Sequence, residues 1–319
     1  HQLDMFSGMM QQGVLLGSPV AETEESVRTG GRCPLNVPVK EFDLTAISVE
    51  ITLNRWLDYY PGYMYTLTEN LEAVRAEEAK NTAAREKEYD GGGATVGSQG
   101  DLITPLVIRA NPGDCVIVTL RNQIADEEPV GLHIHGSSML IKRTGKPATA
   151  TNQDTTVPAG KIQVYEWYVS PDMQEGGLTF HSHGHRLQTG LGLVGTFVIE
   201  PAGAAYLDPF TGGPLKSGWQ AMIVGSDNQA DFREYVIMYH EVGDEAFRPL
   251  SKNGEMLPQR DPVSDAYRPG ARALNYRSEP FGTNNLALQQ ARFNFHDEAE
   301  SYSSYSFGDP GTPIPRAYL

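Results

Sequence analysis

The pattern of apolar and polar positions changes character along the chain. Residues 1–40 hold no period; glycine, proline and serine are scattered among the apolar residues, and an irregular N-terminal extension is expected there. "FDLTAISVEITL" (42–53) then alternates and is rich in β-branched residues, as a strand is. "TENLEAVRAEEAKNTAAREKEY" (68–89) differs in kind. Ala, Glu, Lys and Arg dominate it, Thr68 stands where an N-cap would, and the segment predicts one helix. "DGGGATVGSQGD" (90–101) follows as a loop.

Beyond the loop, apolar runs recur at short intervals. "LITPLVIRA", the turn "NPGD" and "CVIVTLRN" read as strand, turn and strand. "VGLHIHG", "KIQVYEWYVS", "GLTFHSH" and "GLVGTFVIEP" continue the series. In "KIQVYEWYVS" the alternation sets Ile162, Val164, Glu166 and Tyr168 on one side and Gln163, Tyr165, Trp167 and Val169 on the other. Strands at this spacing, with Gly/Pro turns between them, predict an antiparallel sandwich or barrel. A first domain is expected over 41–203, with the helix as an insert. Residues 202–218 read as a connector, and "FREYVIMYHEV" (232–242) as the opening strand of a second unit within 204–319. The proline-punctuated end, "FGDPGTPIPRAYL", reads as a linker entering a further domain.

Composition narrows the functional classes. The chain has 319 residues and a net charge of −15, which argues against sequence-independent nucleic-acid binding. No apolar run approaches the ~18 residues of a membrane span. The 33 glycines and 21 prolines suit a fold of turns and short strands. The chain opens on His1 rather than Met, which reads as a processed or trimmed start; no signal peptide is visible. Its two cysteines, Cys33 and Cys115, form no CxxC and flank no histidine. Cys115 reads as a buried small hydrophobe, and a Cys33–Cys115 disulfide is open to an oxidising compartment.

The candidate chemistry lies in the histidines. Of eight, four fall into two His-x-His pairs, His133/His135 and His181/His183, each on an expected strand. Residues i and i+2 share a strand face and lie ~7 Å apart along the backbone, so each pair can aim two imidazoles at one spot. Neutral imidazole suits copper, zinc, iron and nickel, and two pairs on neighbouring strands would supply four nitrogens. His185 continues the alternation, but Gly184 is expected to end the strand and leave it in a loop. "HIHGSSMLIKR" has no Glu of the kind a cupin site would use, and no HxHxDH is present. A type 1 copper site needs a cysteine beside histidine ligands, and this chain has none. His240 and His296, the latter with Asp297, Glu298 and Glu300, read as a solvated charged loop with a cation site as the alternative.

"HIHG" and "FHSHGHRLQTGLGLVGTFVIEP" resemble the first two His-x-His motifs of the multicopper oxidases. "IRANPGDCVIVTLRN" resembles the strand–turn–strand ahead of the first motif. The match covers about 100–203. "REYVIMYHEV", "LNYRSEPF" and "GDPGTPI" more loosely resemble segments of the larger manganese-oxidase-like and ceruloplasmin-like members. The resemblance implies an all-β protein of cupredoxin-like Greek-key β-sandwich domains. It makes 41–203 the first such domain and 204–319 part of a second. It also implies copper: His133 to the type 2 ion, and His135, His181 and His183 to the type 3 pair. Type 1 copper and the remaining histidines would come from C-terminal cupredoxin domains of the same protein or from a partner chain. The assembly would reduce O2 to water with electrons from Mn(II), Fe(II) or a phenol, outside the cytoplasm or secreted. The alternative is a non-catalytic copper-binding or structural subunit. Asp114 and Glu166 are the candidate carboxylates for proton delivery, Asp114 being more simply a turn residue.

Overall fold

The computed structural model describes residues 31–52, 59–86, 95, 97, 100–125, 127–148, 155–185, 188–226 and 230–238. These form twelve strands and one α-helix. The strands are β1 (Val39–Thr52), β2 (Tyr59–Leu67), β3 (Leu106–Ala110), β4 (Cys115–Gln123), β5 (His133–Ile134) and β6 (Leu140–Ile141). They continue as β7 (Ile162–Tyr168), β8 (Gly176–His181), β9 (Val194–Ile199), β10 (Ala205–Leu207), β11 (Gln220–Val224) and β12 (Phe232–Tyr235). The helix, α1, is Leu71–Glu86.

Two sheets face one another: β2-β1-β4-β7-β6 and β3-β9-β8-β5. The side chains between them form one core. Leu44, Val116, Val118, Leu120, Tyr165 and Trp167 come from the first sheet; Ile108, Ile134, Phe180, Phe197 and Ile199 come from the second. Trp167 meets Phe197 edge-on at 4.5 Å between centroids, the geometry that ring quadrupoles favour. Tyr165, Trp167 and Val169 all lie in this core, so of the two sides of β7 that the alternation separates, theirs faces inward.

The expected antiparallel sandwich needs one correction. β1 with β4, and β3 with β9, run parallel, so the sheets are mixed. Parallel neighbours require a long crossover, and here the chain leaves β1 through β2, α1 and β3 before β4 returns beside it.

β1 also departs from simple alternation in its second half. Phe42, Leu44 and Ala46 enter the sandwich core. Ile47, Val49 and Ile51 point the other way, into a smaller core with Met64, Val74 and Ile103. Val74 belongs to α1, which covers that outer face, so the apolar side of β1 switches from inner to outer along the strand. A 3-10 turn, Thr68–Asn70, precedes α1. Thr68 is not an N-cap: the preceding Leu67 holds that place with no side-chain bond. Thr68 Oγ1 instead donates to Asp43 Oδ1 at 3.1 Å and lies 2.8 Å from Thr45 Oγ1.

Cys33 and Cys115 form a disulfide with 5.4 Å between Cα atoms. Cys115 is therefore buried as a half-cystine rather than as a lone thiol. The bridge closes 82 residues of sequence; on the chain-entropy account a loop of that size is worth ~4–5 kcal/mol through the unfolded state. In the "NPGD" turn, Asn111 N–H donates to Asp114 Oδ2 at 2.9 Å, and Lys40 pairs with the same oxygen at 3.4 Å.

The segment expected as a connector, 202–218, is partly strand. It contributes β10 to a third sheet, β10-β11-β12. A buried ion-pair triad joins this sheet to the sandwich. Arg109, on β3, donates from Nε to Glu200 Oε1 at 2.8 Å and from Nη2 to Glu234 Oε1 at 2.7 Å. Its Nη1 donates to the Gly218 carbonyl at 2.6 Å. Arg109 and Glu200 are each 1% exposed at the side chain. A charge so buried is tolerated only when paired, and losing a partner costs ~3–5 kcal/mol.

Two carboxylates share one guanidinium in this triad. Burial first, and the Glu234 charge second, push the Glu200 carboxyl up to about 7 against the pull of Arg109. A group whose folded pKa exceeds its unfolded value holds protons more tightly when folded. Its favourable contribution is full below the ordinary glutamate range and is lost as pH rises through about 7. Glu200→Gln should remove that slope. Its urea midpoint should gain on wild type between about pH 5 and pH 8, and a constant difference across that range would contradict the assignment.

Candidate metal centre

The two His-x-His segments meet at one end of the four-stranded sheet. β5 and β8 are antiparallel, and the register sets His133 opposite His181 and Ile134 opposite Phe180. His135 N–H donates to the Thr179 carbonyl at 2.9 Å, which continues the pairing past the end of β5. Ile134 and Phe180 are each 1% exposed and face the core. The histidines therefore emerge on the opposite side. Gly136, at φ +77°, turns the chain away directly after His135, in a conformation that glycine adopts without strain.

The imidazoles converge. The ligand nitrogens of His133, His135 and His181 lie within 4.8 Å of one another. His135 Nε2 is 2.7 Å from His181 Nε2. The His183 ring centroid lies 4.5 Å from that of His181 and 4.9 Å from that of His133. His133 is nearly buried, whereas His135 and His183 are exposed.

The hydrogen bonds bear on which nitrogen is free to bind. His181 Nδ1 lies 3.1 Å from its neighbour's carbonyl, Ser182 O, and 3.2 Å from Thr189 Oγ1. Thr189 Oγ1 also lies 3.2 Å from Ser182 O. A carbonyl only accepts, so the consistent assignment puts the proton on Nδ1 and leaves the Nε2 lone pair toward His135. His133 Nδ1 lies 3.5 Å from the Ala148 carbonyl, a long contact with the same polarity. A ring held through one nitrogen by a carbonyl is the usual arrangement for a metal-binding histidine.

The electrostatics agree. Burial, then the neighbouring His183, hold the His181 imidazole down to about 3, and burial, then His133 and His135, hold His183 down to about 4. Both rings are therefore neutral at neutral pH, the form that coordinates metal.

Other residues singled out in the sequence lie elsewhere. His185 is off the strand, past Gly184, and its N–H donates to Gln188 Oε1 at 3.2 Å. Glu166 Oε1 accepts the Cys33 N–H at 2.8 Å, beside the disulfide. Asp114 is engaged in its turn. His240, His296, Asp297, Glu298 and Glu300 lie outside the described residues. Sequence reasoning missed Ser182, Gln188 and Thr189. Their only sequence signal is polar side chains inside, or directly after, an otherwise apolar and Gly-rich stretch.

Residues 82–204 match the family model described as multicopper oxidase. No curated protein matches the chain. Similar solved structures include a multi-copper oxidase from Pseudomonas thermotolerans at 20% identity and TM-score 0.34, covering 53% of this chain and 31% of that one. A second multicopper oxidase is similar at 16% identity and TM-score 0.32, covering 65% of this chain and 57% of that one. A copper nitrite reductase from Nitrosomonas europaea is similar at 12% identity and TM-score 0.32, covering 51% and 42%. The chain thus matches from under a third to under three-fifths of the length of these proteins.

The two histidine segments pack backbone to backbone. A Cβ at Gly184 would fall 1.7 Å from the Pro129 carbonyl oxygen, whereas one at Gly177, on β8, would meet only Thr196 Cγ2 at 3.5 Å. Gly184→Ala should destabilise the fold by at least the ~1–3 kcal/mol of core overpacking. Gly177→Ala should stay within about 1 kcal/mol of wild type. Urea unfolding of the pair checks this, and equal midpoints would show that the segments are not so closely apposed.

Proposed function

From a chain whose residues 82–204 carry a multicopper oxidase domain, we propose that His133, His135, His181 and His183 form half of a trinuclear copper site. The remaining ligands come from C-terminal cupredoxin domains of the same protein or from a partner chain. The observation that carries this reading is the convergence of three imidazoles within 4.8 Å, with the His183 ring against them. The donor set fits copper: all nitrogen, neutral at His181 and His183, and oriented through Nδ1 at His181. By position in the resembled motifs, His133 serves the type 2 ion, and His135, His181 and His183 serve the type 3 pair. Residues 41–203 then form the first cupredoxin domain, and 204–319 belong to a second.

Copper, when bound, supplies the one-electron chemistry by which O2 is reduced with electrons from a reductant. The residues of this chain hold, orient and shield. His181 keeps its Nδ1 proton on Ser182 and Thr189 and presents Nε2. Gly136 and Gly184 let the segments turn and pack close around the site. The type 1 role falls outside this chain, because its two cysteines are the paired Cys33 and Cys115 and no thiolate remains. The reductant is of the class of Mn(II), Fe(II) or a phenol. The disulfide supports an extracytoplasmic or secreted location, and no described helix is long and apolar enough to cross a membrane.

Copper binding to the purified chain tests the reading. Wild type should take up Cu(II) with a nitrogen-rich electron paramagnetic resonance spectrum. His181→Ala and His135→Ala should each lose more than the ~10–100-fold in affinity that an outer partner costs, with the far-ultraviolet circular dichroism unchanged. Copper uptake indifferent to both substitutions would sink the proposal. Copper bound as predicted, yet no O2 consumption when the chain is joined to its type 1 domain, would favour the copper-binding subunit instead.

A further inference from the structure

Beneath the histidines lies a polar junction built on two buried side chains. Ser182, between His181 and His183, is 2% exposed, and Gln188 is 1% exposed. Ser182 Oγ accepts the Gly131 N–H at 2.9 Å and the Gly184 N–H at 3.1 Å, and donates to Gln188 Oε1 at 2.6 Å. One donor and two acceptors exhaust a hydroxyl. Gln188 Oε1 also accepts the His185 N–H at 3.2 Å, and its Nε2 donates to the Pro129 carbonyl at 2.9 Å. The opposite amide orientation would set its NH2 against two donors, so the network itself fixes the carboxamide.

The junction spans both histidine segments. Pro129 and Gly131 lead into His133; Ser182, Gly184 and His185 surround His183. Gly131 is held at both ends, since its carbonyl accepts the Tyr65 hydroxyl at 2.6 Å. Burial raises the Tyr65 phenol far above its ordinary value, so it keeps the proton it donates. The loop that carries Gln188 is anchored in turn by β2. Tyr63 N–H donates to the Leu191 carbonyl at 2.8 Å, and Leu191 packs on the small core beneath α1. Gly192, at φ +115°, has no room for a Cβ, which would lie 2.4 Å from the Tyr63 oxygen.

β5 contributes only two residues to the ladder, too few to set the spacing of the four rings alone. We infer that Ser182 and Gln188 are positioning residues: they touch no metal, and they set the distance between the two His-x-His pairs. The inference rests on the copper reading above. A merely structural junction would affect stability alone; a positioning one also affects how copper sits.

Ser182→Ala leaves the Gly131 and Gly184 N–H groups without their partner. Gln188→Met, of similar volume, spares those two bonds and removes the anchor to Pro129. Each variant is compared with wild type for copper affinity, by chelator competition, and for the Cu(II) electron paramagnetic resonance spectrum. Both measurements are made at a temperature where near-ultraviolet circular dichroism shows it folded. The expected result is a ~10–100-fold loss of affinity, as for other outer partners, with a changed spectrum. A folded variant with wild-type affinity and spectrum overturns the inference. If Ser182→Ala does not fold, Gln188→Met decides by the same criteria. If neither folds, the junction is a folding element and the inference falls. Wild type that binds no copper defeats the copper reading itself, an outcome distinct from all of these.

Discussion

The register of β5 on β8 is the constraint from which the site follows. With His133 opposite His181, Ile134 and Phe180 fall together on the core side and the histidines on the other. Strand side chains alternate with a period of two, so a slip of one residue would exchange the faces. If β5 slipped in this way, Leu132 and Ile134 would turn out of the core and His133 and His135 would turn into it. The hydrophobic core thus selects one register, and that register brings the imidazoles together. The packing that stabilises the sandwich and the geometry that serves the chemistry are one requirement.

The triad at Arg109 and the histidine group handle polarity in opposite ways. At the triad, charge is kept and paired, because a guanidinium on β3 can reach Glu200 and Glu234 together. Burial first, and the charge of the second carboxylate after it, make Glu200 hold its proton more tightly than an ordinary glutamate. At His181 and His183, burial and the neighbouring imidazoles keep the rings neutral, and a neutral ring costs less to bury than an ionised one. Neutral rings are also ready to coordinate, with no proton to displace at neutral pH. In an acidic chain of net charge −15, the candidate cation site thus gathers three imidazoles among the described residues.

Much of this was legible from sequence where a local pattern has one physical meaning. The paired histidines on short apolar stretches, the single helix, and the separation of β7 into two sides all follow from periods of two or from composition. What escaped depends on partners distant in sequence. β1 reads as alternating, yet α1 covers its outer face and the apolar side switches from inner to outer along the strand. The parallel β1–β4 and β3–β9 pairs require knowing where a crossover lands. β10 lies in a Gly- and Pro-rich stretch that resembles a linker, and only its pairing with β11 makes it a strand. Ser182 is invisible for the same reason: a serine between two histidines has no period, and its role exists only once Gly131 and Gln188 are brought to it.

Exposure within the site has a direction. His133 sits against the protein, while His135 and His183 look outward. A self-sufficient metal site would close around its ion with its own side chains, as structural sites do. Here the open side is the side on which the proposed reading needs further histidines, and the cysteines that could have served type 1 copper are joined in a disulfide on the other sheet. The junction at Ser182 and Gln188 then acquires a purpose. A half-site cannot rely on bound metal alone to draw its ligands into place before the other half arrives. On that reading, the Ser182 and Gln188 side-chain bonds beneath the rings would hold them ready and lower the cost of ordering when the ion binds.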